Sequence, residues 1–303
     1  MTLRRTLSAI SLALALTVLA ACDSSEERAE KYYQSGLEYL QAGDVSRALI
    51  EFRNVFKLNG KHKEARRTYA KVERDRGNIR EAFSQYLRLV EQFPDDLDGL
   101  RALSEIAAQN NDWQSATRYV TRALAISPGD QGLQAIKAVA DYGLAIDANS
   151  PGDQVKAVQE VRELRAVLPD DLLLRRVIIS DLIRAQKNTE ALQEIESALL
   201  IAPLDRGLYA QRLSLYAALG DDQAVESGLR DMVTRFPDAP EMKAALIRWY
   251  VSRKEFDKAE AHLRAQITDD TGNDDAILEL VRFLATYRGT DAAVAELGKH
   301  ITA

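Results

Sequence analysis

The chain has 303 residues, of which 46% are hydrophobic, and its 40 lysines and arginines against 46 aspartates and glutamates give a formal net charge of −6. This acidic balance argues against nonspecific binding to nucleic acids, which depends on an excess of cations. The sequence contains 1 cysteine, which excludes a framework of disulfide bonds within the chain and a metal cluster built from cysteines. The fold must therefore be held together by packing.

Residues 1–21 have the pattern of an export signal. Arg4 and Arg5 precede an apolar stretch from Leu7 to Leu19, and small residues then lead to Cys22. A charged segment, an apolar segment and a small-residue cleavage site are the parts of a secretory signal. The apolar stretch is shorter than the roughly twenty residues of a transmembrane helix, so we expect cleavage. The alternatives are an ordinary signal that ends beside a cysteine and, from Arg4-Arg5, twin-arginine export.

The end of this signal, Leu-Ala-Ala followed by Cys22, resembles the lipobox of bacterial lipoproteins. The resemblance implies that Cys22 becomes the first mature residue and carries diacylglyceryl and N-linked acyl groups such as palmitate, which hold a protein on a membrane. In lipoproteins of Gram-negative bacteria an aspartate after the acylated cysteine favours the inner membrane, and here that residue is Asp23. We therefore expect a short lipidated tether, residues 22–28, on the periplasmic face of the inner membrane, with the outer membrane as the alternative.

From residue 29 onward, small, large and turn-forming residues recur at a fixed interval. Prolines follow one another at intervals of 34, 41, 34 and 34 residues: Pro94, Pro128, Pro169, Pro203 and Pro237. A small residue followed four positions later by a large apolar one recurs with the same period: Ala48/Phe52, Ala82/Tyr86, Ala116/Val120, Ala157/Val161, Ala191/Ile195, Val225/Leu229, Ala259/Leu263 and Ala293/Leu297. Small residues let two helices approach closely, and proline ends a helix. The pattern predicts a series of helical hairpins.

This pattern resembles the tetratricopeptide repeat, whose period is about 34 residues. The first unit carries the repeat positions most fully: Tyr32, Gly36, Tyr39, Gly43, Ala48 and Phe52. In the second unit, Gly77-Asn78 is expected to form the turn between the two helices. The resemblance implies an all-α fold, a right-handed superhelical solenoid of about eight helix-turn-helix repeats over residues 29–303. We place the units at 29–62, 63–96, 97–130, 131–171, 172–205, 206–239, 240–273 and 274–303.

Two units depart from the period. The fourth is seven residues longer than the 34-residue period, and its turn-forming residues between 143 and 153 predict either a surface loop or an extended first helix. That length serves either as a contact device or as a tolerated insertion. The last unit ends without a polar capping helix, although solenoid ends usually need one. We expect Val294, Leu297 and Ile301 to face outward there, so that a continuing chain or a partner would cover them.

The sequence contains no pattern typical of a catalytic or metal site. His62, His262 and His300 fall in different units, without cysteine partners or an HExxH motif, and we interpret them as surface histidines. The acidic pairs at 95–96, 170–171 and 221–222 lie where units or helices join, where aspartate caps a helix or favours a turn. We expect no enzyme activity, no cofactor, no metal and no small-molecule substrate.

The resemblance also implies a binding surface, because the first helices of tetratricopeptide units line a groove. The positions that correspond to this groove are Tyr33, Leu37, Arg67, Lys71, Arg74, Arg101, Tyr142, Arg176, Arg184, Arg248 and Arg282, with Val139, Ser180, Ala210, Ser214 and Ala217 between them. Cations at intervals on an acidic protein favour an acidic peptide or a partner helix as the ligand. The alternative is that these arginines pair with neighbouring glutamates and aspartates.

Two classes of function agree with these features. The first is a membrane-anchored periplasmic scaffold that binds protein partners, similar to tetratricopeptide lipoproteins that assist envelope assembly, polysaccharide export or secretion. The second is a non-catalytic adaptor that recruits a cell-wall enzyme. A further alternative is that the sequence is the N-terminal part of a longer multidomain protein.

Overall fold

The computed structural model describes residues 24–267 and 274–301, and within these ranges all regular secondary structure is helical. The chain divides between residues 178 and 179 into two compact units. The first unit contains α1 (Ser25–Gln41), α2 (Val45–Leu58), α3 (Lys63–Asp75), α4 (Ile79–Gln92), α5 (Leu97–Gln109), α6 (Trp113–Ile126), α7 (Gln131–Asp147), α8 (Pro151–Val167) and the start of α9 (Leu172–Arg184). The second contains the rest of α9, then α10 (Asn188–Ile201), α11 (Arg206–Ala218), α12 (Asp222–Arg235), α13 (Pro240–Ser252), α14 (Phe256–Arg264), α15 (Asp274–Tyr287) and α16 (Thr290–Ile301).

The helices follow one another in pairs, and the pairs fall in the predicted repeat units. The exception is the first helix, since α1 begins at Ser25 rather than at residue 29. Ser24 accepts from the amide of Glu27 and the Glu27 carboxylate accepts from the amide of Ser24, which closes a capping box. Helix thus takes up most of the predicted tether 22–28. The predicted signal and Cys22 lie outside the described residues.

Aspartate side chains start many of the helices, as the sequence predicted for Asp96, Asp171 and Asp221. The carboxylate of each accepts a hydrogen bond from an amide in the first turn, at Gly99, Leu174 and Ala224. The same arrangement recurs at Asp44, Asp112, Asp130 and Asp205. A capping acceptor satisfies an amide that has no partner within the helix, which is worth about 1 kcal/mol.

Each turn between the two helices of a pair contains one residue with positive φ. Four of these residues are glycines, and the others are Asn111, Asn149, Gln186 and Lys254; the glycines are Gly43, Gly77, Gly220 and Gly289. The left-handed backbone ends the first helix sharply, so that the second can return beside it. The expected turn at Gly77-Asn78 is confirmed, with Gly77 as its left-handed residue.

The predicted small residues of the second helices all lie in the core. Ala48, Ala82, Ala116, Ala157, Ala191, Val225, Ala259 and Ala293 are buried. Their large partners are buried as well, from Phe52 in the first pair to Leu263 in the seventh, whereas Leu297 is half-buried. Gly36 packs so closely against the Phe52 ring that a methyl group at Gly36 would lie 2.5 Å from the ring. Close approach at small residues therefore brings the paired helices together.

The fourth pair absorbs its extra residues as helix. α7 has 17 residues where α5 has 13, and α8 has 17 where α6 has 14. The turn between them spans only residues 148–150, with Asn149 in the left-handed region. The prediction of a surface loop was therefore wrong, and the alternative of an extended first helix is confirmed, with α8 extended too.

At the last pair, Val294 is 64% exposed, as predicted, but Leu297 is half-buried. Nothing is described of the Ile301 side chain, so that part of the prediction is untested. None of the described helices combines the length and apolar character needed to cross a membrane.

Candidate partner-binding surface

Four predicted groove residues come together on α3 and α5, the first helices of the second and third pairs. Two adjoining cavities of about 620 and 490 Å³ open there, and both are lined by Arg67, Lys71 and Asp75. Leu40, Val45 and Val72 give the larger cavity an apolar wall, and Tyr86, Arg74, Arg101 and Glu105 border the smaller one. We call this surface the α3–α5 cleft.

Arg67 is engaged by the start of the next first helix. Its guanidinium donates to Asp96 at 2.6 Å and lies 3.2 Å from Asp98. The Asp96 carboxylate is fully buried and also receives Lys63 at 3.0 Å, while its other oxygen caps α5. One carboxylate therefore joins the cap of α5 to two cations of α3.

Burial by itself would raise the pKa of Asp96, because a charged carboxylate loses its hydration there. The hydrogen bonds from Arg67, the Gly99 amide and Lys63 outweigh that effect, and the pKa lies below its usual value of 3.8. Asp96 is thus held in its ionised form, in which it pairs with both Arg67 and Lys63.

The same kind of ion pair recurs between successive first helices. Arg101 of α5 donates to Asp130, the cap of α7, at the same separation of 29 residues that joins Arg67 to Asp96. Arg74 donates to Glu105 at 2.7 Å. These three arginines are paired with acids of the following first helix, as in the alternative that the sequence left open, and their contact with a partner stays a prediction.

One cation in the cleft is left available. Lys71 is exposed, borders both cavities, and makes no ion pair with any residue in the described part of the chain. Tyr86, which borders the smaller cavity, is 5% exposed, and burial raises the pKa of its hydroxyl. The cleft thus offers an apolar wall, a phenol and a single unpaired ammonium group.

Three predicted groove residues lie in the core or pack against it. Tyr33 is half-buried with its ring 6.0 Å from that of Phe52 and 4.9 Å from that of His62. Leu37 packs against the same apolar cluster, and Tyr142 is 6% exposed. Val139, which was expected between the cations, is also buried.

The remaining predicted cations are dispersed. Arg176 lies on α9 and is exposed but engaged with a partner. In the second unit, Arg184, Arg248 and Arg282 are exposed, and among the described residues none of their guanidinium groups makes an ion pair. The small residues Ala210, Ser214 and Ala217 are exposed on α11. Their part in binding stays a prediction.

The second unit has its own ties between successive pairs. Arg253 pairs with Asp222 and Arg288 pairs with Asp257, in both cases across 31 residues. At the end of the chain, the nearly buried Glu296 receives Lys299 and Arg264, each at 2.9 Å. Burial would raise the pKa of Glu296, but these two cations lower it to about 2.

The interpretation of the histidines as surface residues was wrong for His62 and His262. The His62 side chain is 9% exposed, caps α3 through the Ala65 amide and lies 3.1 Å from Glu30. His262 is half-buried with its Nε2 enclosed, and burial lowers its pKa. His300 lies 3.4 Å from Glu296 and is partly exposed. Among the described residues no group of histidine, cysteine, aspartate and glutamate is arranged to hold a metal ion.

Sequence reasoning found the arginines but missed their partners. Asp96, Asp130 and Glu105 were not predicted as part of the site. A signal was present, because an arginine followed 29 residues later by the aspartate that caps the next first helix occurs at both 67/96 and 101/130.

Helix pairs of this length, with small residues at their crossings and one left-handed residue per turn, form a helical repeat fold of the tetratricopeptide type. The family model described as a tetratricopeptide repeat matches residues 33–96 and 70–131. No curated protein matches the sequence significantly.

Solved structures show the same fold. A tetratricopeptide repeat protein from Parabacteroides merdae ATCC 43184 superposes with a TM-score of 0.54 at 13% identity, over 85% of this chain and 98% of that one. PilW, described as a widely conserved type IV pilus biogenesis factor, gives 0.51 at 16% identity, over 72% of this chain and 98% of PilW. A chain of the APC/C hetero-tetramer Cut9–Hcn1 gives 0.54 at 15% identity, over 73% of this chain and 43% of that one. At these identities the likeness establishes the fold, which is the predicted all-α tetratricopeptide fold.

Proposed function

We propose that this protein is a scaffold that binds protein partners through the α3–α5 cleft and is held by a lipid on Cys22 at the periplasmic face of the inner membrane. The observation that carries the binding role is the cleft itself, in which an unpaired Lys71 borders two cavities on a surface built mainly from α3 and α5. Its arginines are held by acids of the next pair, so the surface is ordered before a partner arrives. A preformed surface loses little conformational entropy on binding.

The proposed partner is an extended or helical segment with at least one acidic side chain. An apolar side chain of that segment fits the wall formed by Leu40, Val45 and Val72, while a carboxylate reaches Lys71. The cleft has fewer cations available for a ligand than the sequence predicted, because Arg67, Arg74 and Arg101 are already paired with acids of this chain. Recognition thus depends on shape and on one charge rather than on a basic stripe.

The pathway we propose to test first is assembly of an envelope structure, including export or secretion. PilW, which has the same fold over 98% of its length, is itself described as a pilus biogenesis factor. The lipobox-like sequence before Cys22 supports a location in the cell envelope. The role of PilW is its own, so the pathway of this protein has to come from its partners.

The change of Lys71 to glutamate is expected to reduce partner capture about tenfold, since the substitution places a carboxylate against an acidic ligand. The measurement is in-cell crosslinking of the tagged, full-length protein, followed by quantitative mass spectrometry. Lys57→Glu is the matched control, because Lys57 is exposed on α2 and does not line the cleft. Helical content and melting of both variants should equal those of the wild type.

An unchanged set of partners in Lys71→Glu would show that the cleft is not the binding surface. Recovery of a secretion, export or assembly complex would support the scaffold and name its pathway. If a single cell-wall hydrolase or synthase is recovered, the adaptor function replaces the scaffold. If the protein recovers only itself, the proposal is withdrawn.

For the anchor, Cys22→Ser is expected to move the protein from the membrane fraction to the soluble periplasmic fraction, because the serine cannot be acylated. Separation of inner and outer membranes on a density gradient, with radiolabelled palmitate as the second readout, measures both anchoring and sorting. A variant whose signal is cleaved and which still stays on the membrane as firmly as the wild type would contradict lipid anchoring at Cys22. Retention of an uncleaved variant would instead be due to its signal segment, and the absence of palmitate label from the wild type would then overturn the proposal.

A further inference from the structure

The lengthened hairpin α7–α8 forms a second surface that the α3–α5 cleft does not include. A cavity of about 470 Å³ runs between the two helices at the end that carries the extra residues. Each helix contributes four residues spaced by three, one and three positions, which is one face of a helix. They are Asp141, Leu144, Ala145 and Ala148 of α7, and Asp153, Lys156, Ala157 and Glu160 of α8. We call this surface the α7–α8 groove.

The floor of the groove is apolar and is formed mainly by small side chains. Ala145 and Ala157 are each 4% exposed, and Leu144 is half-buried beside them. Small residues at such positions let a third helix approach closely, as they do between the helices of each pair. The exposed Ala148 continues this surface towards the turn, and the cavity opens between these residues and the charged rim.

The rim of the groove is charged, and its net charge is negative. Lys137 pairs with Asp141 within α7, and Lys156 lies 3.4 Å from Asp153, with both side chains of the latter pair mostly exposed. Such a surface pair is weak and can be exchanged for another partner. Glu160 makes no ion pair with any residue that the structure describes. The groove therefore presents carboxylates to a cation from outside.

The groove is also a firm surface. On α7, Tyr142 is buried and Gly143 packs directly on the Trp113 indole of α6. The turn at residues 148–150 has three residues, like the turns of the first three pairs. The extra residues lengthen both α7 and α8 and leave the turn between them short, so they form a helical surface rather than a loop.

We propose that the α7–α8 groove binds a basic amphipathic helix of a partner protein. The apolar face of that helix packs on Leu144 and Ala148 over the small, buried Ala145 and Ala157, and its lysines or arginines pair with Glu160 and Asp153. Charge complementarity selects this occupant, because an acidic helix would meet the unpaired Glu160 carboxylate. The proposal does not depend on the α3–α5 cleft, whose ligand has the opposite charge.

The test uses a defined probe on the purified full-length protein. A fluorescent peptide of repeated Leu-Lys-Lys-Leu-Leu-Lys-Leu heptads is titrated and its anisotropy is followed, with the same heptads carrying glutamate for lysine as the acidic comparison. We expect the basic peptide to bind and the acidic one not to bind. Glu160→Lys should weaken binding about tenfold through lost charge pairing. Ala148→Tyr, which fills the exposed end of the groove without a change of charge, should weaken it similarly.

Matched controls separate the groove from general attraction to an acidic protein. Glu163→Lys makes the same charge change on an exposed residue of α8 outside the groove, and Ala166→Tyr makes the same size change there. Both should bind the basic peptide like the wild type, as should Lys71→Glu in the other cleft. If the basic peptide does not bind, or if Glu163→Lys weakens it as much as Glu160→Lys, the proposal is overturned. Sedimentation that shows self-association lost in Ala148→Tyr would assign the groove to a second copy instead.

Discussion

Replacing Asp96 with asparagine is expected to destabilise the first unit by about 3 kcal/mol, at the low end of the cost of breaking a buried ion pair. The Asp96 carboxylate is fully buried and receives Arg67 and Lys63. Asparagine keeps a capping oxygen for the Gly99 amide but leaves these two cations without their shared counter-charge. The cost stays near the low end because both cations retain contact with water. Urea denaturation followed by circular dichroism measures the effect.

Asp98→Asn is the matched control, since Asp98 also pairs with Arg67 but is 63% exposed. An exposed pair contributes less than about 1 kcal/mol, so this variant should unfold close to the wild type. Equal destabilisation by the two variants would mean that the burial of Asp96 is not what makes its ion pairs important.

The pH dependence of Asp96→Asn follows from the same ion pairs. The pKa of Asp96 is lowered in the folded state, so the ionised carboxylate contributes stability above its unfolded pKa, and this contribution is lost as the pH falls through the folded pKa. The stability difference between wild type and Asp96→Asn should therefore be largest near neutral pH and shrink below about pH 4. A difference that stays constant down to pH 2.5 or lower, about the most acid condition that is practical, would contradict an ionised Asp96.

Gly143→Ala is expected to destabilise the first unit by about 2 kcal/mol through overpacking. A methyl group at this position would lie 2.2 Å from a ring carbon of Trp113, the half-buried first residue of α6. Either the indole or the whole of α7 has to move. The readouts are the thermal midpoint from circular dichroism and the fluorescence emission of the tryptophans, which should shift as the indole is displaced.

Gly152→Ala, on α8 of the same hairpin, is expected to have the opposite effect on stability. Nothing lies within 4 Å of a methyl group there, and Gly152 is in the first turn of α8. Alanine has the higher helix propensity, so this variant should be stabilised by about 0.5–1 kcal/mol. If both variants raise the thermal midpoint, the contact between Gly143 and Trp113 does not constrain α7.

The sequence by itself determined the repeating part of this protein. Ala82 and Tyr86, and their equivalents in other pairs, are four positions apart on one helix face, and each turn has a residue such as Gly77 that tolerates a left-handed backbone. These features are local, because a crossing or a turn depends on a few neighbouring residues. They also recur, so that a deviation in one pair is outweighed by the others. The all-α fold and the helix pairs could be predicted for these reasons.

Only the tertiary structure decided what the charged residues do. Whether Arg67 faces a ligand or Asp96 depends on how one pair packs on the next, which brings together residues 29 positions apart. Periodicity places an arginine on a helix face, but it does not reveal the acid that lies opposite. The same limit applies to His62, which is buried against the first pair, and to the residues that lengthen α7 and α8. Helix packing pairs Arg67, Arg74 and Arg101 with acids of the following repeat and leaves Lys71 without an ion pair among the described residues. It also forms the α7–α8 groove at the fourth pair.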